Sequence, residues 1–446
     1  MKIKPLSTNW TFLTLAVLAT TSSLPHLGAQ ESTLARQLSQ GTAANPYEIA
    51  EGGQARRRNR EQAPVSQGMA AKPGAGVDAL KAWWAGMEEV AEASMKPNDW
   101  VFHYGLTTAF EYDSNFNFAA VDERDTSIIS ASPYGVLTYG QQGSGLDFQL
   151  RYSPEFRWFS DDSISNVINQ SLSSQLGFNG SKSRIVASAN YSHNESGNVE
   201  VGNLVGSDTY NIGIVGSYDV SSKTSIGGSL NYAINNYDVF NSFSTPALGL
   251  YADYSITPKT RLGLGVGYQH TEQENNLSAD ALNANLRVAW AVSQKVGLSG
   301  AFGMEKRSFD GGDTINAMVG DLGLTYALSD KSTLRLSAYR RATPSIGQTN
   351  AMFYATGMAM TASVPATERL MLSLTTGYEN ATYESTGGPG FTSREDNYAF
   401  IRPSLAFNIS EHWNMNLFYQ FSDNSSSLEN SSFNRSSVGT SFTLAY

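Results

Sequence analysis

Between residues 282 and 292 every second side chain is apolar. Leu282, Ala284, Leu286, Val288, Trp290 and Val292 are separated by Asn283, Asn285, Arg287 and Ala289. A period of two is the mark of a β-strand with two different faces. The pattern recurs at 262–269, where Leu262, Leu264, Val266 and Tyr268 alternate with Gly263, Gly265, Gly267 and Gln269. It recurs at 146–158, where Leu146, Phe148, Leu150, Tyr152, Phe156 and Trp158 alternate with Asp147, Gln149, Arg151, Ser153, Glu155 and Arg157. Ten steps of about 3.3 Å make a strand of roughly 33 Å. Tilted by about 40°, such a strand covers a height of roughly 25 Å, the apolar band of an outer-membrane barrel. Strands of a soluble sandwich are usually shorter.

A helical route through a bilayer is excluded. The mean hydropathy is −0.29, and after residue 30 the chain has no apolar run of 18 residues. With 40 Gly, 22 Tyr, 21 Phe and 7 Trp, the composition suits many strands with aromatic ends.

A repeat of 36 residues organises the middle of the chain. Aromatic, any, aliphatic, Ser/Thr, any, Lys occurs at Tyr218–Lys223, Tyr254–Lys259, Trp290–Lys295 and Tyr326–Lys331. Weaker copies follow at Ala362 and at Phe407–His412. Each copy ends a strand on an interfacial aromatic and turns on polar residues, so each period is one hairpin. A propeller would need four short strands per period, and only two fit. Tight turns near 141, 180, 221, 258, 294, 330, 366 and 411 join nine strand pairs. The predicted fold is therefore an all-β, antiparallel up-and-down transmembrane barrel of 18 strands, with 16 as the alternative. Pro133, Pro154 and Pro403 fall inside strands, where bulges are expected. Modest loops are expected at 113–125, 194–207 and 383–396.

Ahead of the barrel, the first 29 residues read as a secretory signal: Lys2 and Lys4, then an apolar stretch from Trp10 to Ala19, with cleavage after Ala29. Residues 30–75, with the cluster Arg56–Arg58 and Arg60, lack periodicity and are expected to be a disordered periplasmic linker. Residues 76–98 take a helical period. Leu80, Trp83, Trp84 and Met87 share one side of a short amphipathic helix and form a candidate plug. The barrel is expected over 99–446.

The first strand, Phe110–Phe118, resembles the β-barrel porin 2 family of outer-membrane proteins. The last, Val438–Tyr446, resembles the terminal signal read by the barrel-assembly machinery, with Phe442, Leu444 and Tyr446 as its alternating apolar and terminal aromatic positions. Gly439 is displaced from its usual place in that signal. The resemblance covers about 99–446 and implies a porin. It also implies an association with exopolysaccharide systems.

Other chemistry finds little support. The net charge of −10, with no basic stripe, argues against a nucleic-acid partner. The absence of Cys excludes disulfides and thiolate sites. His26, His103, His193, His270 and His412 are too scattered for a zinc site or a hydrolase. Gly263, Gly265 and Gly267 alternate along a strand and make no phosphate loop; they relieve crowding inside. Asp310-Gly-Gly-Asp313 reads as a turn before a Ca²⁺ loop. Asp122, Glu123, Asp125, Asp161 and Asp162 read as solvated loop residues. No cofactor, metal site or enzymatic activity is expected.

Strand parity points Arg151, Arg157, Arg287, Arg307, Arg335, Arg341 and Arg402 inward, together with Glu111, Asp147, Glu155, Asp253, Glu305, Asp321 and Glu379. A barrel of 18 strands is too wide for side chains alone to fill, so this balanced set is expected to line a wetted pore. The favoured function is passive diffusion of small hydrophilic solutes across the bacterial outer membrane, with the N-terminal segment periplasmic. The expected partners are outer-membrane lipids, the assembly machinery and the solutes, polysaccharide among them. The alternatives are a conduit or scaffold for exopolysaccharide export and a surface adhesin or anchor.

Overall fold

The computed structural model describes residues 100–446 apart from 142–143, 275–277, 330 and 388. The signal, the linker and the helix expected before residue 99 lie outside the described residues.

Eighteen strands follow one another: β1 (Trp100–Asp113), β2 (Thr126–Gln141), β3 (Ser144–Phe159), β4 (Val167–Asn179), β5 (Ser183–Asn198), β6 (Asn203–Asp219), β7 (Thr224–Tyr237), β8 (Phe243–Thr257) and β9 (Thr260–Gln273). The second half holds β10 (Ala279–Ala291), β11 (Val296–Phe309), β12 (Thr314–Ser329), β13 (Ser332–Pro344), β14 (Ala351–Pro365), β15 (Leu370–Ser385), β16 (Glu395–Asn408), β17 (Trp413–Ser426) and β18 (Phe433–Ala445). Each pairs antiparallel with its neighbours in sequence, and β18 pairs with β1. The ladder from Gly105–Ala445 to Asp113–Ser437 closes the cylinder. Tyr446 extends the seam: Tyr104 and Tyr446 exchange both backbone hydrogen bonds at 2.9 Å. A closed barrel leaves no sheet edge, as a bilayer requires.

The short connections lie where the turn count places them, and in the four strong copies of the repeat the Ser/Thr position has a visible task. Ser221 Oγ accepts from the backbone N–H groups of Lys223 and Thr224, at 3.2 and 3.1 Å. Ser293 does the same for Lys295 and Val296, both at 3.1 Å. Thr257 accepts from Lys259 at 3.1 Å, and Ser329 from Lys331 at 3.4 Å. These hydroxyl turns satisfy backbone donors that no strand reaches.

Outside, alternation yields an apolar belt with aromatic borders. Trp100, Tyr104, Tyr218, Tyr254, Trp290, Trp413 and Tyr446 are exposed at the tight-turn end. Near the loop end, exposed tyrosines reach polar rim residues: Tyr112 to Asp125 at 3.2 Å, Tyr268 to Asp280 at 2.6 Å, and Tyr378 to Asn397 at 2.6 Å. Rings with an apolar body and a polar tip suit the two edges of a membrane.

Two local expectations are corrected. Pro133, Pro154 and Pro403 make no bulge. The β2–β3 register is the same on both sides of Pro133 and Pro154, which face each other where the ladder pauses. The β16–β17 register is likewise unchanged across Pro403. Only one side of each strand loses bonds there, while β1–β2, β3–β4 and β15–β16 continue unbroken. The second correction concerns 194–207, which is a hairpin leaving only 199–202 outside β5 and β6. Its Asn-rich sequence lacks alternation because strand ends beyond the membrane have no lipid face to supply.

Candidate functional site

The interior is shaped by one hairpin that leaves the wall. The β12–β13 ladder stops at Gly320–Arg340, although β12 starts at Thr314 and β13 runs on to Pro344. Beyond that point β13 stays paired with β14 as far as Pro344–Met352, and β14 with β15 as far as Ala351–Ser385. All five residues Ala351–Ala355 are buried, so both faces of the strand are covered. Phe353 and Ala355 pack with Phe118, Val199, Tyr339, Tyr383, Tyr398 and Phe433. Met352 and Tyr354 pack with Ala279 and Phe309, against Ile315, Ala317 and Val319. Those three residues of β12 belong to its inner face. The end of the β13–β14 hairpin therefore lies across the inside of the barrel wall.

Its turn, 345–350, is pinned from the far side. β5–β6 and β13–β14 stand on opposite sides of the cylinder, seven to nine strands apart. Glu200, at the β5–β6 tip, accepts from Ser345 Oγ at 2.5 Å and from the backbone N–H groups of Ile346 and Gly347 at 3.2 and 3.1 Å. Arg394 donates to the Glu200 carbonyl at 2.8 Å and pairs with Asp396 at 2.7 Å. Asn241 N–H donates to the Ile346 carbonyl at 3.3 Å, and Gln273 Nε2 to that of Ser345 at 2.6 Å. Asn350 Nδ2 donates to the Pro389 carbonyl at 2.9 Å, so the 386–394 loop covers the turn. Burial raises the Glu200 carboxyl above the usual carboxylate range, and its hydrogen bonds and Arg394 counter part of that rise. The 114–125 loop also turns inward: Phe118 meets Phe433 with ring centroids 5.3 Å apart, and Phe116 meets Phe159 at 4.9 Å.

All fourteen charges predicted by parity sit on the inner face of the wall. Asp253 and Arg287 form a two-point pair at 2.9 and 3.3 Å. Glu305 accepts from Arg307 at 3.0 Å. Glu155 and Asp147 accept from Asn169 and Asn179, at 3.1 and 3.2 Å. Glu379 accepts from Tyr339 at 2.5 Å. Asp321 lies opposite Ala301 and Tyr339, within the influence of Arg341 and Arg287. Arg157 stacks on Phe116 and Phe159, and Arg335 stands half-buried opposite Thr325.

One module recurs four times around the wall. An inward aromatic ring lies over a glycine directly opposite on the neighbouring strand: Tyr134 on Gly105, Tyr251 on Gly227, Tyr339 on Gly357 and Phe418 on Gly439. A Cβ at any of these glycines would occupy the ring's place. A guanidinium sits over each ring: Arg151 at 4.6 Å, Arg287 at 3.9 Å, Arg341 at 4.2 Å and Arg402 at 4.1 Å. Such contacts help to hold a cation in place, and at Arg287 the ring adds to the pair with Asp253.

The parity reading missed Asp113, Arg184, Glu200, Arg394, Asp396 and Arg435. Asp113, Glu200, Arg394 and Asp396 fell inside segments read as loops. Arg435 was within reach of parity: counting back from Phe442 puts it on the inner face. There it pairs with Asp113 at 2.5 Å and lies 3.5 Å from Glu111. The candidate plug of Leu80, Trp83, Trp84 and Met87 lies outside the described residues.

A closed 18-stranded cylinder with an apolar exterior, two aromatic borders and a charged, polar interior defines an outer-membrane channel. The sequence comparison agrees. Residues 102–343, more than half of the chain, match the family model of the Gram-negative porin, and the chain belongs to that family. It is an outer-membrane porin-type channel through which small solutes diffuse. No curated protein matches the sequence. Similar solved structures include the outer membrane protein OpdK of Pseudomonas aeruginosa, 12% identical over 78% of this chain and 99% of that one, with a TM-score of 0.44. OccK3 (OpdO) of Pseudomonas aeruginosa is 12% identical over 77% and 96%, with a TM-score of 0.43. OccAB4 of Acinetobacter baumannii is 11% identical over 79% and 99%, also with a TM-score of 0.43.

Proposed function

We propose that the protein is a constricted, weakly ion-selective diffusion channel, narrowed by its own β13–β14 hairpin. The observation that carries this reading is the burial of Ala351–Ala355 on both faces, across the inner side of β10–β12. The fourteen charges read from parity, seven of each sign, line the pore. Pairs such as Asp253–Arg287 cancel beyond about 8 Å at physiological salt.

The tight-turn end faces the periplasm and the loop end the outside, following the usual layout of such barrels. Residues 1–29 act as a leader, 30–75 as a linker and 76–98 as a periplasmic helix. The assembly machinery reads Phe442, Leu444 and Tyr446. The channel is not an enzyme. An export conduit is disfavoured because the hairpin obstructs a wide exit. Adhesion is disfavoured because the longest loop is 114–125.

In planar bilayers under a KCl gradient, the reversal potential should stay close to zero. A potential near that of an ideally cation- or anion-selective pore would sink the balanced-wall reading.

A further inference from the structure

The lumen has two unlike sides. From β11 round to β3 the inner face carries most of the charges, three of the four stacked rings and the in-folded hairpin. From β4 to β7 it is almost wholly neutral, and among the described residues its one charged inward side chain between the strand ends is Arg184. Amides and hydroxyls predominate in the rest, among them Ser192, Asn190, Thr209, Asn211, Ser229 and Asn231, interspersed with Val186, Val215, Ala233 and glycines. Asn190 stands directly opposite Asn211, and Asn231 is one strand further on, opposite Gly213. Among the described residues, the side-chain amides of Asn190, Asn211 and Asn231 have no partner within the chain. All three are half-buried, so their donors and acceptors face the lumen water. This wall lies opposite the β13–β14 hairpin, whose tip rests on its rim through Glu200 and Asn241. Between that rim and the tight-turn end, the amides form this side of the lumen.

Resting on the diffusion-channel reading above, we infer that the β4–β7 wall is a binding track for neutral polyhydroxylated solutes, that is, mono- and oligosaccharides. An amide offers a donor and an acceptor side by side, which matches the paired donor and acceptor of a sugar hydroxyl. Exchanging water for a hydroxyl here leaves no ion desolvated, since the wall carries almost none. Arg184 near the tight-turn end apart, a charged solute finds no counter-ion along this side and gains little from the track.

The test is block of single-channel ion current by a neutral trisaccharide, maltotriose, added to the purified full-length protein. The variant is Asn190→Ala/Asn211→Ala/Asn231→Ala, which removes the amides and widens the lumen. The inference predicts concentration-dependent block of the native channel and roughly tenfold weaker block of the variant, with ion conductance equal or higher. A size sieve predicts the same block in both, and that result overturns the inference while leaving the channel reading intact. Absence of block in the native channel overturns it as well. A protein that inserts but conducts no ions overturns the channel reading itself. Should the triple variant fail to insert, Asn211→Ala alone is compared in the same way, with several-fold weaker block expected and equal block contradicting the track.

Discussion

Gly263 lies between Asp253 on one neighbouring strand and Arg287 on the other. Its missing side chain lets that ion pair lie flat against the wall, with the guanidinium over Tyr251. A Cβ there would run into the Asp253 carboxylate and the Ala252 carbonyl. The alternating glycines at 263, 265 and 267 were legible as inward-facing from sequence. That they make room for an ion pair, rather than merely relieve crowding, depends on which residues the register sets beside them. Gly263→Val should destabilise the barrel by about 1–3 kcal/mol. The expected outcome is a lower temperature for loss of the fast-running folded band on an unheated gel. An unchanged transition would show that the pair has room to lie elsewhere.

At the scale of elements, the strands were readable wherever lipid touches one face, because lipid enforces the period of two. The in-folded hairpin was not readable that way. Its signature is Ala351-Met-Phe-Tyr-Ala355, a run without alternation, which suits a strand buried on both faces. Glu200 was hidden for another reason: its partners lie about 145 residues away in sequence, at Ser345 to Gly347. The latch it forms should respond to pH. Burial raises its carboxyl, so the latched state holds its proton more tightly than a released one. Between the ordinary glutamate value and the raised one, the latched state is favoured as pH falls and weakened as pH rises. The groups facing Glu200 are Arg394, Asp396 and Tyr383 from β15, β16 and the loop between them. Current fluctuations should therefore grow from acid to neutral pH in the native channel and become insensitive to pH in Glu200→Gln. Fluctuations that grow on acidification would reverse the sign and refute this account of the latch. The C-terminal strand offers a second prediction. Tyr446 completes the seam with Tyr104, so its deletion should lower the amount of assembled protein in the outer membrane at low expression. Native levels would argue that the seam and its recognition tolerate the loss.

For the whole molecule, strand number followed from counting turns, and the 36-residue repeat supplied half of that count. Each copy spells one hairpin, and Ser221, Thr257, Ser293 and Ser329 answer a backbone donor at the same place in their turns. What sequence could not supply was the width of the passage, because width depends on which strands leave the wall. With a constriction inside the barrel, no separate plug is needed. Removing residues 30–96 while keeping residues 1–29 should leave conductance unchanged, and a marked rise would assign the plug role to the segment before residue 99. The central claim is tested most directly by single-channel conductance after the tip of the β13–β14 hairpin is cut back, with residues 345–350 and the flanking Ala342–Pro344 and Ala351–Tyr354 replaced by a two-residue Asn-Gly turn. A barrel constricted by its own hairpin predicts that the shortened protein still inserts and conducts several-fold more current than the native channel. A shortened protein that inserts with native conductance would contradict it.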